Sequence, residues 1–590
     1  NRWNGNIPWN TSLGIGSTSP HAWRWNSGNN DGHMSYRNSK QYLMNNGMLV
    51  AEGGTPNEYY TQGYSTTHLC PREADTSNQM NARIGVQPDI GNMPRHRITK
   101  DSNIIQAYHS WTSMRANVHA NGTLTMSGVY QNGYLGVGAQ DSATDQGINL
   151  HKALFKGRSI VKVASGGHQA RDGDSHIIAL DEYGEVHTWG RNDTGQCGIS
   201  SERRGQGDSS PDIHYFSDGT MGVNNRVHLV HSMNKDFFFG GRKIVDIWAG
   251  HRWTMCMDEE GELWSWGYND RGNLGYPTNS SGNLGFQDTD RSYAPMKINV
   301  NWNSYGGIQK IVVACSEANV DSLYILDGQG YIWSQGYNGY GQLGSQNTTT
   351  GTNSSSITRR TGLQSAGSIV NFWADACNSY GHLWWRNTSG DTYGCGWDGH
   401  HDITGDSSAP GTASGNNPTY MPGNSSNQLM KNVVCMSAGG RSSGQVQTFL
   451  TDKGHVYTTG WNGYGAGRCG HSSTVTNNQI NYQQNGQRAY AAGRQLHAPF
   501  YSAGGSNPVD NTSSSSTVSK GPGNAVVDCR GATCIDIWQT GDYDGSSGHT
   551  PWSVTLFDNG ELTGGGRDYD WSAASYMGPI WGSVHHHGIG

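Results

Sequence analysis

Eight times along this chain, two glycines stand six residues apart with an apolar or Thr residue between them. An Asp or Asn turn usually precedes the pair. The first four copies are Gly47-Met-Leu-Val-Ala-Glu-Gly53, Gly122-Thr-Leu-Thr-Met-Ser-Gly128, Gly184-Glu-Val-His-Thr-Trp-Gly190 and Gly261-Glu-Leu-Trp-Ser-Trp-Gly267. The others are Gly330-Tyr-Ile-Trp-Ser-Gln-Gly336, Gly390-Asp-Thr-Tyr-Gly-Cys-Gly396, Gly454-His-Val-Tyr-Thr-Thr-Gly460 and Gly560-Glu-Leu-Thr-Gly-Gly-Gly566. First glycines follow one another at steps of 60 to 106 residues. Self-similarity at such a period means a repeat architecture. It favours one large array over the several domains that 590 residues would otherwise suggest.

Each repeat has the same internal order. An apolar strand comes first, as in Ile244-Val-Asp-Ile-Trp248 and Ile369-Val-Asn-Phe-Trp373. A second follows, as in Thr254-Met-Cys-Met257 and Ser322-Leu-Tyr-Ile-Leu326. An Asp/Asn-x-x-Gly or Asn-Gly turn then reverses the chain, because Asn, Asp and Gly accept the positive φ of tight hairpins. The third strand carries aromatics, as in Leu263-Trp264-Ser265-Trp266. A glycine-spaced loop closes the unit: Gly190-Arg-Asn-Asp-Thr-Gly195-Gln-Cys-Gly198, Gly267-Tyr-Asn-Asp-Arg-Gly272-Asn-Leu-Gly275 and Gly336-Tyr-Asn-Gly-Tyr-Gly341-Gln-Leu-Gly344. Short strands at even spacing indicate an all-β protein, and three to four strands per unit suit a propeller blade.

The Trp-Gly step, the Asn and the Gly-Gln-Leu-Gly ending resemble the repeats of the regulator-of-chromosome-condensation (RCC1) family, most closely at 184–198, 261–275 and 330–344. The resemblance implies an all-β, RCC1-like β-propeller with seven or eight blades. Residues 101–575 are assigned to the propeller, 1–100 to an N-terminal closing or attachment segment, and 576–590 to a tail. A chain beginning mid-blade is expected from the loop-like Trp3-Asn-Gly-Asn-Ile-Pro-Trp-Asn-Thr-Ser-Leu13-Gly14. In the blade around Gly261, strands are expected at 244–248, 254–257 and 262–266. Gly267 is expected to need a positive φ or a close backbone approach. Trp264 and Trp266 are read as facing opposite sides of the sheet, one between blades and one on a surface.

Charge excludes one partner class. The chain has 39 Lys and Arg against 46 Asp and Glu, a net charge of −7, and no basic block. Nucleic-acid binding rests on a basic footprint that releases counterions, so no nucleic-acid partner is expected. No run of about 20 apolar residues exists to span a membrane as a helix. Only 14% of residues are charged, against roughly 25% in ordinary globular chains. Gly, Asn, Ser, Thr, Tyr and Trp replace them, a composition associated with viral fibres and adhesins.

Motifs for catalysis are missing: no Gly-x-Ser-x-Gly, no His-Glu-x-x-His and no phosphate-binding Gly-x-x-x-x-Gly-Lys-Ser/Thr. The expectation is therefore no enzyme, no catalytic residues, no cofactor and no metal. Asp193, Asp270 and Asp398 in the glycine loops fall short of a calcium oxygen set and are read as turn caps. His585, His586 and His587 could ring a metal only in an oligomer. His168 and His251 are read as structural, bonding backbone within the blade. Cys197, Cys256, Cys435 and Cys469 take apolar repeat positions and are expected as buried thiols. Cys377 with Cys395, and Cys529 with Cys534, are close enough to pair instead.

The best binding candidates are the loop aromatics Tyr268, Tyr337, Tyr340, Trp397, Trp461 and Tyr464, which follow the Trp-Gly step or its equivalent in successive repeats. A propeller puts equivalent loops on one face, and aromatic rings with a polar handle suit protein interfaces and sugar faces. Polar inserts interrupt the repeat at 202–240, 276–305, 345–366, 403–430 and 471–524. Ordering a residue costs roughly 1–2 kcal/mol of backbone entropy, and segments this poor in apolar residues would recover it only against other chains. The expectation is a non-enzymatic structural or adhesion protein of a virus particle, such as a phage tail fibre or surface decoration, in a virion or extracellular setting. Its partners would be neighbouring subunits, a host-surface glycan or protein, or further copies of itself. The alternative is a secreted RCC1-like propeller that binds and inhibits, or scaffolds, a partner protein.

Overall fold

A computed structural model describes most of residues 104–128, 144–198, 226–314, 321–397 and 432–460, and beyond these the backbone of the other strands named below. Eight antiparallel sheets are described, and each carries one of the eight glycine pairs. The fold is an all-β, RCC1-like propeller. The third sheet is typical: Ile160–Gly166 (inner), His176–Asp181, Val186–Arg191 and Arg226–Met233 (outer), joined in chain order. In the fourth sheet the first three strands are Ile244–Ala249, Trp253–Asp258 and Leu263–Tyr268, as the sequence predicts, with Arg291–Lys297 outside them. The first sheet has three described strands, Ser39–Leu43, Leu49–Gly53 and His96–Thr99. The eighth runs from Cys534–Thr540 to Tyr576–Met577.

The outer strands overturn part of the insert assignment. Arg226–Met233, Arg291–Lys297, Ser354–Arg359, Thr419–Tyr420 and Arg494–Leu496 all fall inside segments read as polar inserts. Apart from Arg291–Lys297, which the short strand Gln287–Asp288 flanks, these strands pair on one side only and need no continuous apolar run. Ser354-Ser-Ser-Ile-Thr-Arg359 pairs with the third strand of its blade without one.

The core lies between blades. In the second strand of the third sheet all six residues are buried. Ile177 and Ala179 pack toward the second sheet with Val118, Leu124 and Trp189, while Ile178 and Leu180 pack toward the fourth with Ile247, Cys256 and Trp266. Burial on both faces is why these strands read as apolar runs instead of alternating. Trp264 joins the same cluster as Trp266, and both indoles pack on Phe239, with centroids 5.6 and 6.3 Å away. The opposite-face assignment is therefore wrong: side chains alternate along a strand, so residues two apart share a face.

Backbone and side chains fasten neighbouring blades. The N–H that opens an inner strand donates to the first motif glycine of the preceding blade: Ile160 to Gly122 O, Ile244 to Gly184 O, Ile369 to Gly330 O and Asn432 to Gly390 O, at 2.9–3.1 Å. Every inner strand from the second sheet to the eighth is bulged between its first and third residues. The third residue then reaches the next blade. The Gln106 amide exchanges two bonds with the backbone of Val163. Lys162 pairs with Asp246, and the Lys310 ammonium donates to Asn371 Oδ1 and Phe372 O. Cys197, Cys256, Cys395 and Cys435 are buried thiols, and Cys395 is in no disulfide. Burial pushes the Cys256 thiol well up and that of Cys395 to about 12. Cys469, Cys529 and residues 585–587 lie outside the described residues.

Candidate binding face

The third strand of each blade runs from the Asp-x-x-Gly turn to the glycine loop, so turns gather at one end of the sheets and loops at the other. The glycine loops are fastened by uncharged bonds. Asn192, Asn269 and Asn338 side chains accept from the backbone of Cys197, Leu274 and Leu343, at 2.8–3.0 Å. Thr188, Ser265 and Ser334 hydroxyls donate to the carbonyls of the same three residues. Each loop is also tied to the next blade. The Trp266 indole N–H donates to Gln196 O at 3.0 Å, and the Gln335 amide donates to Asn273 O. Gly267 has φ +105°, and a Cβ there would lie 2.5 Å from Arg252 O, so it meets both halves of the expectation.

On this frame sit the predicted aromatics. Tyr268, Tyr337 and Tyr340 are half-buried, whereas Trp397 is buried at 8% exposure against His382. Trp461 and Tyr464 lie outside the described residues. The structure brings Tyr268 and Tyr337 to adjacent loops, each with an arginine beside it. Arg252 Cζ lies 5.8 Å from the Tyr268 ring centre, and Arg271 Cζ, from the fourth blade, lies 5.6 Å from that of Tyr337 in the fifth. Both distances are within cation–π reach. Arg271 also meets Asp270, with Nε and Oδ2 3.5 Å apart. Sequence reasoning missed both arginines; only their place beside repeat glycines could have pointed to them. Asp270 thus faces an arginine, Asp193 and Asp398 are outside the described residues, and no cluster of metal ligands occurs among those described. His251 is buried, and its backbone N–H donates to Asp321 Oδ2 of the next blade.

The turn end is built from charge. Asp258 Oδ1 accepts from Glu260 N and Glu262 N, while Oδ2 accepts from Arg242 and the Trp264 indole, all at 2.9–3.1 Å. Asp327 repeats the scheme with Gln329 N, Tyr331 N, Arg359 and Trp333. Asp181 repeats it with Tyr183 N, Glu185 N, Arg158 and His187. Burial alone would raise the Asp181 carboxyl, but these donors hold it below its ordinary range.

The class these features define is the RCC1-like repeat propeller. No family model matches the chain. The ultraviolet-B receptor UVR8 of Arabidopsis thaliana is 31% identical over 172 residues, 29% of this chain and 30% of that protein. The mitochondrial RCC1 domain-containing protein RUG3 of the same plant is 25% identical over 285 residues, 42% of this chain and 57% of that protein. The mouse E3 ubiquitin-protein ligase HERC2 is 26% identical over 228 residues, 38% of this chain and 4% of that protein. The chain spans less than two thirds of the length of each. Among solved structures, Prp20p of Saccharomyces cerevisiae, described with its binding to Gsp1p and histones, aligns with TM-score 0.42 and 14% identity, over 78% of this chain and 82% of that one.

Proposed function

We propose that the chain is a non-catalytic binding propeller whose glycine-loop face holds a protein partner, and that it serves as a structural or adhesion component of a virus particle or another extracellular assembly. One observation carries the binding reading. On a loop frame held by side-chain bonds to its own backbone, half-buried tyrosines and arginines from adjacent blades form a mixed aromatic and cationic surface. Tyr and Arg are the residue types that dominate binding energy at protein interfaces. The particle setting is supported by composition: 14% charged residues and 85 glycines. The net charge of −7 supports a partner other than nucleic acid.

Two measurements test this. The joint variant Tyr268→Ala, Tyr337→Ala, Tyr340→Ala is expected to fold and to attach to its particle or target surface at least tenfold more weakly. Full attachment by that variant rejects the face. In a density gradient the native chain is expected to sediment with particles; recovery wholly as a free monomer rejects the assembly setting and favours a secreted propeller.

A further inference from the structure

Six of the described arginines are held by partners within the fold. Arg158, Arg242 and Arg359 are held by buried carboxylates at 2.6–3.1 Å, Arg360 by Ser334, Arg386 by Val433 O, and Arg271 faces Asp270. Arg252 differs. Its guanidinium has no hydrogen bond or ion pair among the described residues, and its Nε is buried. Yet its position is tightly set. Its carbonyl accepts from Tyr268 N at 2.9 Å and from the Thr194 hydroxyl of the preceding blade at 3.2 Å. The side chain lies over the Tyr268 ring. In a chain with seven more acidic than basic residues, this half-buried cation has no acidic partner among the described residues.

We infer that Arg252 is the anchor of a carboxylate subsite, which takes an Asp or Glu side chain of a protein partner. The inference rests on the loop-face reading above and names the chemistry recognised there. A planar guanidinium held near an aromatic ring presents a fork that matches a carboxylate in two parallel bonds. Partial burial strengthens that pair relative to one in open water. A phosphate dianion fits less well. A single guanidinium without an acidic partner meets it, and Arg271 on the adjacent loop already faces Asp270. An acidic glycan fits less well too, because Tyr268 and Tyr337 each have a guanidinium on the ring instead of an open face for stacking a sugar.

Poly-L-glutamate is the probe, titrated against the whole chain at low and moderate salt. A protein of net charge −7 repels a polyanion overall, so binding reports a local site. The wild type is expected to bind with an affinity that falls with salt. Arg252→Gln is expected to weaken binding about tenfold or more, and Arg252→Lys to weaken it less, since charge is kept but the fork is lost. Lys243→Gln, an exposed cation at the turn end, should leave binding unchanged. Absence of wild-type binding overturns the inference. So does an equal loss in Lys243→Gln, or tighter binding of hyaluronate or tripolyphosphate than of polyglutamate. If Arg252→Gln melts below the wild type, Arg252→Lys alone decides, and binding equal to wild type rejects the fork. Should the triple tyrosine variant lose attachment while Arg252→Gln keeps it, the subsite fails and the loop-face reading stands.

Discussion

The two ends of the blades solve the same problem with different chemistry. At the turn end, the hairpins of the third, fourth and fifth sheets close on a buried carboxylate that gathers two backbone N–H groups, an arginine and a ring N–H, and that of the sixth on the Asn387 amide. At the loop end, Asn, Ser and Thr side chains bind the backbone of the glycine loops, while the buried carboxylates Asp321 and Asp375 take the backbone and ring N–H groups of the turns between first and second strands. Removing one partner of a buried charge is far more damaging than removing one neutral bond. Both ends therefore hold the fold, and the loop end also carries a group, the Arg252 guanidinium, that makes no hydrogen bond or ion pair among the described residues. Exposure refines the contrast. The large apolar side chains left open among the described residues, Tyr183, Phe237, Val245, Val370 and Val434, lie in turns, in the connector from Met233 to Ile244, or at the starts of inner strands.

The contrast breaks most easily at Asp258. Asp258→Ala strands Arg242 and two backbone donors, and is expected to cost about 3–5 kcal/mol in urea unfolding. A loss below ~1 kcal/mol would erase the distinction between the ends. Next comes Gly267→Ala, where both the positive φ and the approach to Arg252 O must be relieved. The expected cost is roughly 2–3 kcal/mol, read by the same method. Acid sharpens the comparison further. Asp181 is held below its ordinary range, so its contribution is complete above the unfolded carboxylate value of about 3.9 and is lost as pH falls through the lower folded value. Asp181→Asn should flatten stability against pH below about pH 4 and leave the neutral-to-alkaline slope unaltered; an unchanged acid limb would remove Asp181 from the account. At the loop end, Trp266→Phe loses the bond to Gln196 O, for about 1 kcal/mol. The smallest effect belongs to Arg252→Gln, within about 0.5 kcal/mol by thermal melting, because the fold does not bond that guanidinium.

The repeat was legible because its signals are local. Both motif glycines answer steric demands that any copy must meet, as Gly184 at φ +78° against Lys243 of the next blade shows. Doubly buried strands were legible as apolar runs. The outer strands were not, since a strand paired on one side can be built from Ser354-Ser-Ser-Ile-Thr-Arg359. Tyr268, Tyr337 and Tyr340 were found from the loop register, which also selected the buried Trp397, because register fixes position but not depth. Arg252 and Arg271 stayed hidden for another reason. What sets them apart is whether an acid lies near them, and for a repeat protein that is decided by the neighbouring blade and not by the adjacent residues.

The route of the chain at the loop end carries a further consequence. After Gly198, Tyr276, Gly344, Trp397 and Gly460 it leaves a blade, and it returns at Arg226, Gln287, Ser354, Thr419 and Arg494 to pair as an outer strand. Each of these five segments thus starts and ends at the loop end of its own blade. Closing a longer loop costs only about 0.6 kcal/mol per doubling of its length. The propeller can therefore be re-tailored segment by segment on one side, as a lathe chuck accepts different tools, while the opposite side and the inter-blade core remain as they are.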